Sequence, residues 1–252
     1  MSLADGTPQN ISIVLYKPKY AGNVGSIARA AKNMGITKII VVGVSDLDAD
    51  QMYQRSTHLA ADVVDAIQYK RTLEEALADF AYIVGTTARQ GRGRGPFVSP
   101  RTAAEAIACV APKNKVALLF GPEDTGLSNE EIRYCQSVTT IPTSDAFRSL
   151  NLSHAVIILS YEIFLALSEK SKTSPVAPKW ARSSEIEGMY AQLKTTLAAI
   201  GFLRPENPDY WMMHLRRFFS RSGLLAREVK IIRGICRQID WAAGRSSSNK
   251  KT

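Results

Sequence analysis

The chain predicts an α/β fold, a mostly parallel sheet flanked by helices, followed by a small C-terminal helical extension. Three observations predict it. Over the first 170 residues, short β-rich runs alternate with helical stretches, the pattern of strand–helix–strand units. Beyond residue 184 the apolar residues recur only at spacings of three and four, the period of amphipathic helices. The charge divides at the same place. The 252 residues carry 32 Lys and Arg against 23 Asp and Glu, a formal +9. Residues 1–170 hold 17 of each sign, so the whole excess comes from residues 171–252, with 15 basic and 6 acidic side chains. A neutral globular unit with a basic appendage suits a polyanionic partner, nucleic acid or an anionic membrane surface.

The elements follow in order. Ile11–Tyr16, Lys38–Val44, Phe80–Gly85, Lys115–Phe120 and Ser137–Ile141 are bounded by Gly, Pro or Asn and read as buried strands. Between and after them, helices are expected over Val24–Met34, Met52–Ala60, Leu73–Asp79, Pro100–Val110, Asn129–Cys135 and Asn151–Ser168. Ser99 before Pro100 is an N-cap with Pro at N1. Ser128 with Glu131 spells a capping box, and Gly35 is placed to close the first helix. Residues 171–184 lack periodicity, contain two prolines and read as a linker. In the extension, 185–252, Ser184 and Glu187 spell a second capping box. Ile186, Met189, Leu193, Leu197 and Ile200 then form one stripe, ended by Gly201. A second helix carries Trp211, Met212, Leu215 and Phe218 or Phe219, and a third runs from about Leu224 to Trp241. On that third helix Leu225, Val229, Ile232, Cys236 and Ile239 share an arc, with Arg227, Lys230, Arg233 and Arg237 opposite.

Several function classes drop out. Cys109, Cys135 and Cys236 are too few and too scattered for a disulfide framework or a zinc site, so no metal is expected. They read as reduced thiols of a cytoplasmic protein. The first ten residues lack the apolar core of a secretion signal, and the longest apolar run, Ala155–Leu167, is too short to span a bilayer. No P-loop is present, and the first strand runs into KPKYAGNVGS rather than a G-x-G-x-x-G turn. His58, His154 and His214 stand alone, so no Ser-His-Asp or Cys-His set is readable.

Four segments remain, each just after an expected strand: GNVGSIARAAKNMG (22–35), GTTARQGRGRGPFVSP (85–100), LLFGPEDTGLSNEE (118–131) and IPTSDAFRSLNLSHAV (141–156). Ligands bind at the carboxyl ends of parallel strands. Turn-forming glycines and helix-capping Asn or Ser explain one such loop; four on one edge point to a site.

The first, third and fourth of these segments resemble the three ordered motifs of the SPOUT superfamily of RNA ribose 2′-O-methyltransferases, N-x5-R, F-G-x-E-x-x-G-L-S/T and I-P-x(n)-S-L-N. The stretches EGMYAQLKTTLAAIGFL, HLRRFFSRSGL and EVKIIRGICRQI resemble the extension of the bacterial TrmJ-type enzymes of that superfamily, which methylate nucleotide 32 of the tRNA anticodon loop. The resemblance implies a methyltransferase domain over 1–170 with a trefoil knot at about 115–168, S-adenosylmethionine as cofactor, tRNA as substrate and a homodimer with no membrane role. It assigns catalysis to Asn23, Arg29, Glu123, Ser149 and Asn151. It gives cofactor contacts to Thr86, Thr87, Ala88, Gly121, Gly126, Ile141, Ser149, Leu150 and Asn151. Six residues turn a helix by about 600°, a net 240°, so Asn23 and Arg29 cannot share a helical face, and Asn23 is expected in the loop before the helix. Pro122 stands where relatives often carry Arg. RNA contact is expected from Arg89, Arg92 and Arg94 in the basic loop, and from Arg216, Arg217, Arg221, Arg227, Lys230, Arg233 and Arg237 in the extension. Two alternatives share the fold: methylation of ribosomal RNA, and RNA binding without catalysis.

Overall fold

In the computed structural model, seven parallel strands form one sheet in the order β3-β2-β1-β6-β4-β7-β5. The structure describes residues 7–88, 97–146, 149–169, 177–220 and 223–248. The elements of the first unit, residues 1–178, are β1 (Ile11–Tyr16), α1 (Ala21–Asn33), β2 (Lys38–Val42), α2 (Ala49–Ser56), α3 (Ala61–Asp65), β3 (Gln68–Lys70), α4 (Leu73–Leu77), β4 (Tyr82–Thr86), β5 (Phe97–Val98), α5 (Pro100–Val110), β6 (Val116–Phe120), α6 (Asn129–Ile132), β7 (Ser137–Thr139) and α7 (Leu152–Glu169).

Burial explains which strands the sequence shows. The central β6 is VALLF with every residue buried, as a strand covered on both faces must be. The two unexpected strands, β3 and β5, lie at the sheet's edges, where β3 is exposed and β5 half-buried. An edge strand of two or three residues needs no apolar run, so it leaves no pattern to read.

The helix ends follow local chemistry. Ser99 Oγ accepts from the Thr102 N–H at 3.1 Å, with Pro100 at N1. Glu131 accepts from the Ser128 N–H at 2.6 Å, closing the expected capping box. Gly35, at φ +76°, ends α1 through bonds from its own N–H to Lys32 O and from Ile36 N–H to Ala31 O, the Schellman arrangement. The start of α1 differs from expectation. It begins at Ala21, so Asn23 lies in its first turn rather than in the preceding loop. Tyr20 at the N-cap offers no capping side chain, which is why the sequence carries no start signal there. At 18 residues α7 is, by length and composition, apolar enough to cross a bilayer, although the run Ala155–Leu167 by itself is not. It packs against α1 and α5, burying Leu152, Val156, Leu159, Ser160 and Ile163.

The second unit, residues 179–252, contains α8 (Ser183–Ala199), α9 (Pro208–Ser220) and α10 (Ala226–Ser248). Its core joins Ala181, Met189, Tyr190, Leu203, Met212 and Val229. The expected linker reaches too far. Ala181 is buried here and donates its N–H to Leu224 O at 2.7 Å. The second capping box is also shifted, since Glu185 takes the Arg182 N–H at 2.8 Å. Glu187 instead forms a two-pronged pair with Arg216, both contacts at 2.6 Å. That guanidinium also covers the Tyr190 ring, 4.3 Å from its centroid. Burial pushes the Tyr190 hydroxyl up to about 12. Arg216, expected at phosphate, is thus held inside the unit by Glu187 and the Tyr190 ring.

Helices α1 and α2 meet at a tight joint. A Cβ on Gly25 would sit 2.1 Å from the Met52 carbonyl oxygen. Backbone cannot swing aside as a side-chain tip can. Gly25→Ala is expected to destabilise the protein by at least about 1–3 kcal/mol, the cost of overpacking. Denaturant unfolding checks this, with a lowered midpoint and an unchanged slope.

Candidate active site

The sheet order positions the site. From β1 the chain moves outward to β2, whereas from β6 it moves past β4 to β7. Connections therefore leave these neighbours in opposite directions, and the crevice above their carboxyl ends is a topological switch point. The loops after β1 and β6 flank it.

Glu123, after β6, accepts the Lys19 N–H at 2.9 Å and the Asn23 side-chain N–H at 2.9 Å, both from the β1 side. Asn151 then donates to Asn23 Oδ1 at 3.1 Å. Its own Oδ1 accepts the Ser153 N–H at 2.8 Å and the Ser153 hydroxyl at 2.7 Å. Asn151 thereby caps α7 and tethers it to α1 together. The segments holding Lys19 and Asn23, Glu123 and Asn151 meet in one hydrogen-bonded chain, the first of them separated from the other two by 100 residues or more. Outside it, Lys19 Nζ pairs with Asp124 at 2.6 Å, which raises the Lys19 pKa and lowers that of Asp124. Neither residue of this pair was expected in the site. Lys19 could have been found only as part of the loop after the first strand, since a backbone donor has no residue-type signature.

The β6 loop is shaped by two glycines. A Cβ on Gly121 would lie 2.4 Å from Gly126 C and 2.5 Å from Leu127 N. Gly126 has φ +61° and donates its N–H to Pro122 O at 2.8 Å. The loop folds back on itself so closely that a side chain at Gly121 has no room. Pro122 contributes that carbonyl and is half-buried.

Beside it, Thr86 ends β4 in register with Phe120 of β6 and Thr139 of β7. The buried Oγ1 atoms of Thr86 and Thr140 have no hydrogen-bond partner. Such atoms are costly unless a ligand or water completes them. Thr87 is buried and donates its N–H to Thr139 O at 3.1 Å, while Ala88 is exposed. Ile141 and Leu150 are half-buried and Ser149 is exposed.

The other expected residues divide. Arg29 is exposed on α1, roughly 9 Å along the axis from Asn23 at 1.5 Å per residue. It takes no part in the Glu123–Asn23–Asn151 chain. Arg89, Arg92, Arg94 and Arg221 lie outside the described residues. Arg227, Lys230, Arg233 and Arg237 are all exposed on α10, with Arg233 donating its Nε–H to Gln192 Oε1 of α8 at 3.0 Å, and Arg217 on α9 is half-buried. Among the described residues no group of three or more His, Cys, Asp and Glu could hold a metal.

A parallel α/β sheet with its polar loops tied together at a switch point, followed by a basic helical unit, defines a SpoU-type methyltransferase with an added C-terminal domain. The chain belongs to the SpoU rRNA Methylase family, whose model matches residues 10–161. Residues 184–251 match the family described as tRNA methyltransferase TrmJ, C-terminal domain. The chain is 37% identical over 236 residues to the tRNA (cytidine/uridine/adenosine-2′-O-)-methyltransferase TrmJ of Pseudomonas aeruginosa (strain UCBPP-PA14), covering 89% of this chain and 91% of that protein. It is 34% identical over 244 residues to the tRNA (cytidine/uridine-2′-O-)-methyltransferase TrmJ of Photorhabdus laumondii, covering 93% and 98%. The crystal structure of TrmJ from Z. mobilis ZM4 superposes with a TM-score of 0.77 at 26% identity, covering 91% of this chain and 98% of that one.

The Asn23–Glu123 contact sets up a charge test. Asn23→Asp keeps the side chain's shape but replaces a donor with a second carboxylate, 2.9 Å from Glu123 in the parent structure. It is expected to cost about 2–3 kcal/mol at pH 7, the price of a lost charge-assisted bond plus repulsion. One proton shared by the pair relieves the repulsion. The deficit against the parent should therefore shrink as pH falls toward 5. Thermal unfolding of both proteins across that range measures it.

Proposed function

We propose that this chain transfers a methyl group from S-adenosylmethionine to a ribose 2′-hydroxyl of tRNA, at nucleotide 32 of the anticodon loop. It works as a cytoplasmic homodimer whose sheet carries the trefoil knot at about residues 115–168. The observation that carries this reading is the junction of all three motifs through Glu123, Asn23 and Asn151. The C-terminal family match over 184–251 favours tRNA over ribosomal RNA.

The residues present suit the cofactor. Thr86 and Thr140 offer unpartnered hydroxyls at the carboxyl edge of the sheet, and Gly126 leaves open space beside its main chain. Thr86, Thr87, Ala88, Gly121, Gly126, Ile141 and Leu150 would hold it, largely through backbone groups. When bound, S-adenosylmethionine supplies a methyl group on a sulfonium, open to in-line attack by an oxygen nucleophile.

The chain's own groups do the rest. Glu123, Asn23 and Asn151 are positioning residues that fix the loops and α7 against one another. Ser149, exposed beside Asn151, faces the 2′-hydroxyl. A guanidinium presents donors and no acceptor, so Arg29 is no ordinary base. It holds the target phosphate and stabilises the developing alkoxide. Arg217, Arg227, Lys230, Arg233 and Arg237 contact phosphates of the tRNA, joined by Arg89, Arg92, Arg94 and Arg221.

Incorporation of labelled methyl into total tRNA and rRNA tests the reaction. Label in tRNA ribose at position 32 is expected, and label confined to rRNA overturns the reading. Arg29→Ala should lower turnover by about 100-fold or more while changing tRNA affinity much less. Retained turnover would remove Arg29 from the chemistry. Replacing Arg227, Lys230, Arg233 and Arg237 together with alanine should lower the slope of log affinity against log salt by up to about 4, roughly one per lost phosphate contact. Binding titrations from low to moderate salt read that slope.

A further inference from the structure

Helix α9 has two apolar faces, and folding needs only one. Met212, Leu215 and Phe219 point into the helical unit's core. Trp211, His214 and Phe218 recur at the same helical spacing on the outside. With Phe202 and Tyr210 they form a patch of exposed rings: Phe202 is 54% accessible, Tyr210 48%, Trp211 44% and Phe218 67%. Tyr210 stands edge-on to Trp211 at 5.8 Å and to His214 at 4.6 Å between centroids, and Phe202 lies 6.1 Å from Trp211. Edge-to-face contacts steady the rings against one another and leave flat faces open to solvent. Asn207 fixes where Tyr210 starts, its Oδ1 accepting the Tyr210 N–H at 3.2 Å. Tyr210 and Trp211 line a cavity of about 590 Å³ with Arg204, Pro205, Glu206 and Asn207.

We propose that this patch, centred on Tyr210 and Trp211 with Phe202 and Arg204 beside them, is a stacking platform for unpaired bases of the RNA substrate. The inference rests on the reading of the chain as a tRNA methyltransferase and adds a recognition element to it.

Three features select this occupant. The first is charge. The unit carries 14 Lys and Arg against 6 Asp and Glu over residues 179–252, which attracts a polyanion and repels a second copy of the same surface. The second is shape. Open aromatic faces beside a guanidinium suit flat, weakly polar bases, whereas an aliphatic groove would suit a helix from another protein. The third is the cavity's mixed rim. Arg204 can stack or meet phosphate, and the Glu206 carboxylate can accept from an exocyclic amino group. Stacking on rings is indifferent to base identity, so the rings themselves grip loop nucleotides without choosing among them. It complements the α10 cations, which grip backbone.

The test uses the full-length protein and three RNAs: an unmodified tRNA transcript, a synthetic stem–loop and a fully paired duplex of equal length. Trp211→Ala and Tyr210→Ala are each expected to weaken binding to the tRNA and stem–loop by at least about 5-fold. The salt slope should stay unchanged, because no charge is lost. Duplex affinity should also stay unchanged, and Trp211→Phe should restore most of the loss. Phe202→Ala, outside the helix, gives an independent variant should α9 be disturbed. The parent protein crosslinked to 4-thiouridine stem–loop should yield adducts within residues 202–218. Unchanged stem–loop affinity, equal loss on duplex, or adducts only elsewhere each overturn the platform. A shift in sedimentation with Trp211→Ala would show the patch to be a contact between copies and overturn it as well. Failure of the parent protein to bind tRNA overturns the underlying reading and the platform together, whereas tRNA binding that ignores the aromatic variants removes the platform alone.

Discussion

One carboxylate holds the site together. Two parallel strands whose connections run in opposite directions leave a crevice lined by loops with no ladder between them. Glu123 bridges that crevice by accepting one backbone and one side-chain N–H from the far side. Each bond is charge-assisted, and together they satisfy donors that a partly buried loop would otherwise leave without a partner. Asn23 passes the linkage on, because an amide can donate and accept at once, and Asn151 ends it at the start of α7. Removing any member leaves the others with unmet polar groups, so the three act as one unit.

The rest of the first unit serves this arrangement. The buried β6 sets the height at which Glu123 emerges, and the Gly121–Gly126 fold-back turns the chain at once, so that the carboxylate faces β1. Gly25 lets α2 lie against α1, and α7 packs on both α1 and α5. A rigid sheet edge supports loops that are polar and irregular, the division of labour that lets one scaffold present a precise site.

The helical unit follows a different logic. Its small core is reinforced by the Glu187–Arg216 pair, which lies partly out of water and is capped by the Tyr190 ring. That use of an arginine shows what charge counting alone misses: Arg216 adds to the net charge while two of its guanidinium nitrogens are paired with Glu187 inside the unit. The exposed cations of α10 and the outward rings of α9 are left to meet a partner, and each suits a different part of RNA.

The sequence by itself determined the alternation of strands and helices, the capping of α5 and α6, and the confinement of the net positive charge to the last third. These are local or additive properties, carried by periodicity, by residues three apart and by composition. It also determined the three motifs as separate strings. Only the tertiary structure decided that Asn23 sits in the first turn of α1, that Glu123 reaches Lys19 and Asn23 across the β1–β6 crevice, and that Arg216 turns inward. It alone revealed β3 and β5, which pair at edges without an apolar pattern. Each of these depends on groups far apart in the chain, or on backbone donors common to every residue type. Such contacts are made by the order of strands in the sheet and by which face of a helix is covered, and neither is written in any single stretch of sequence.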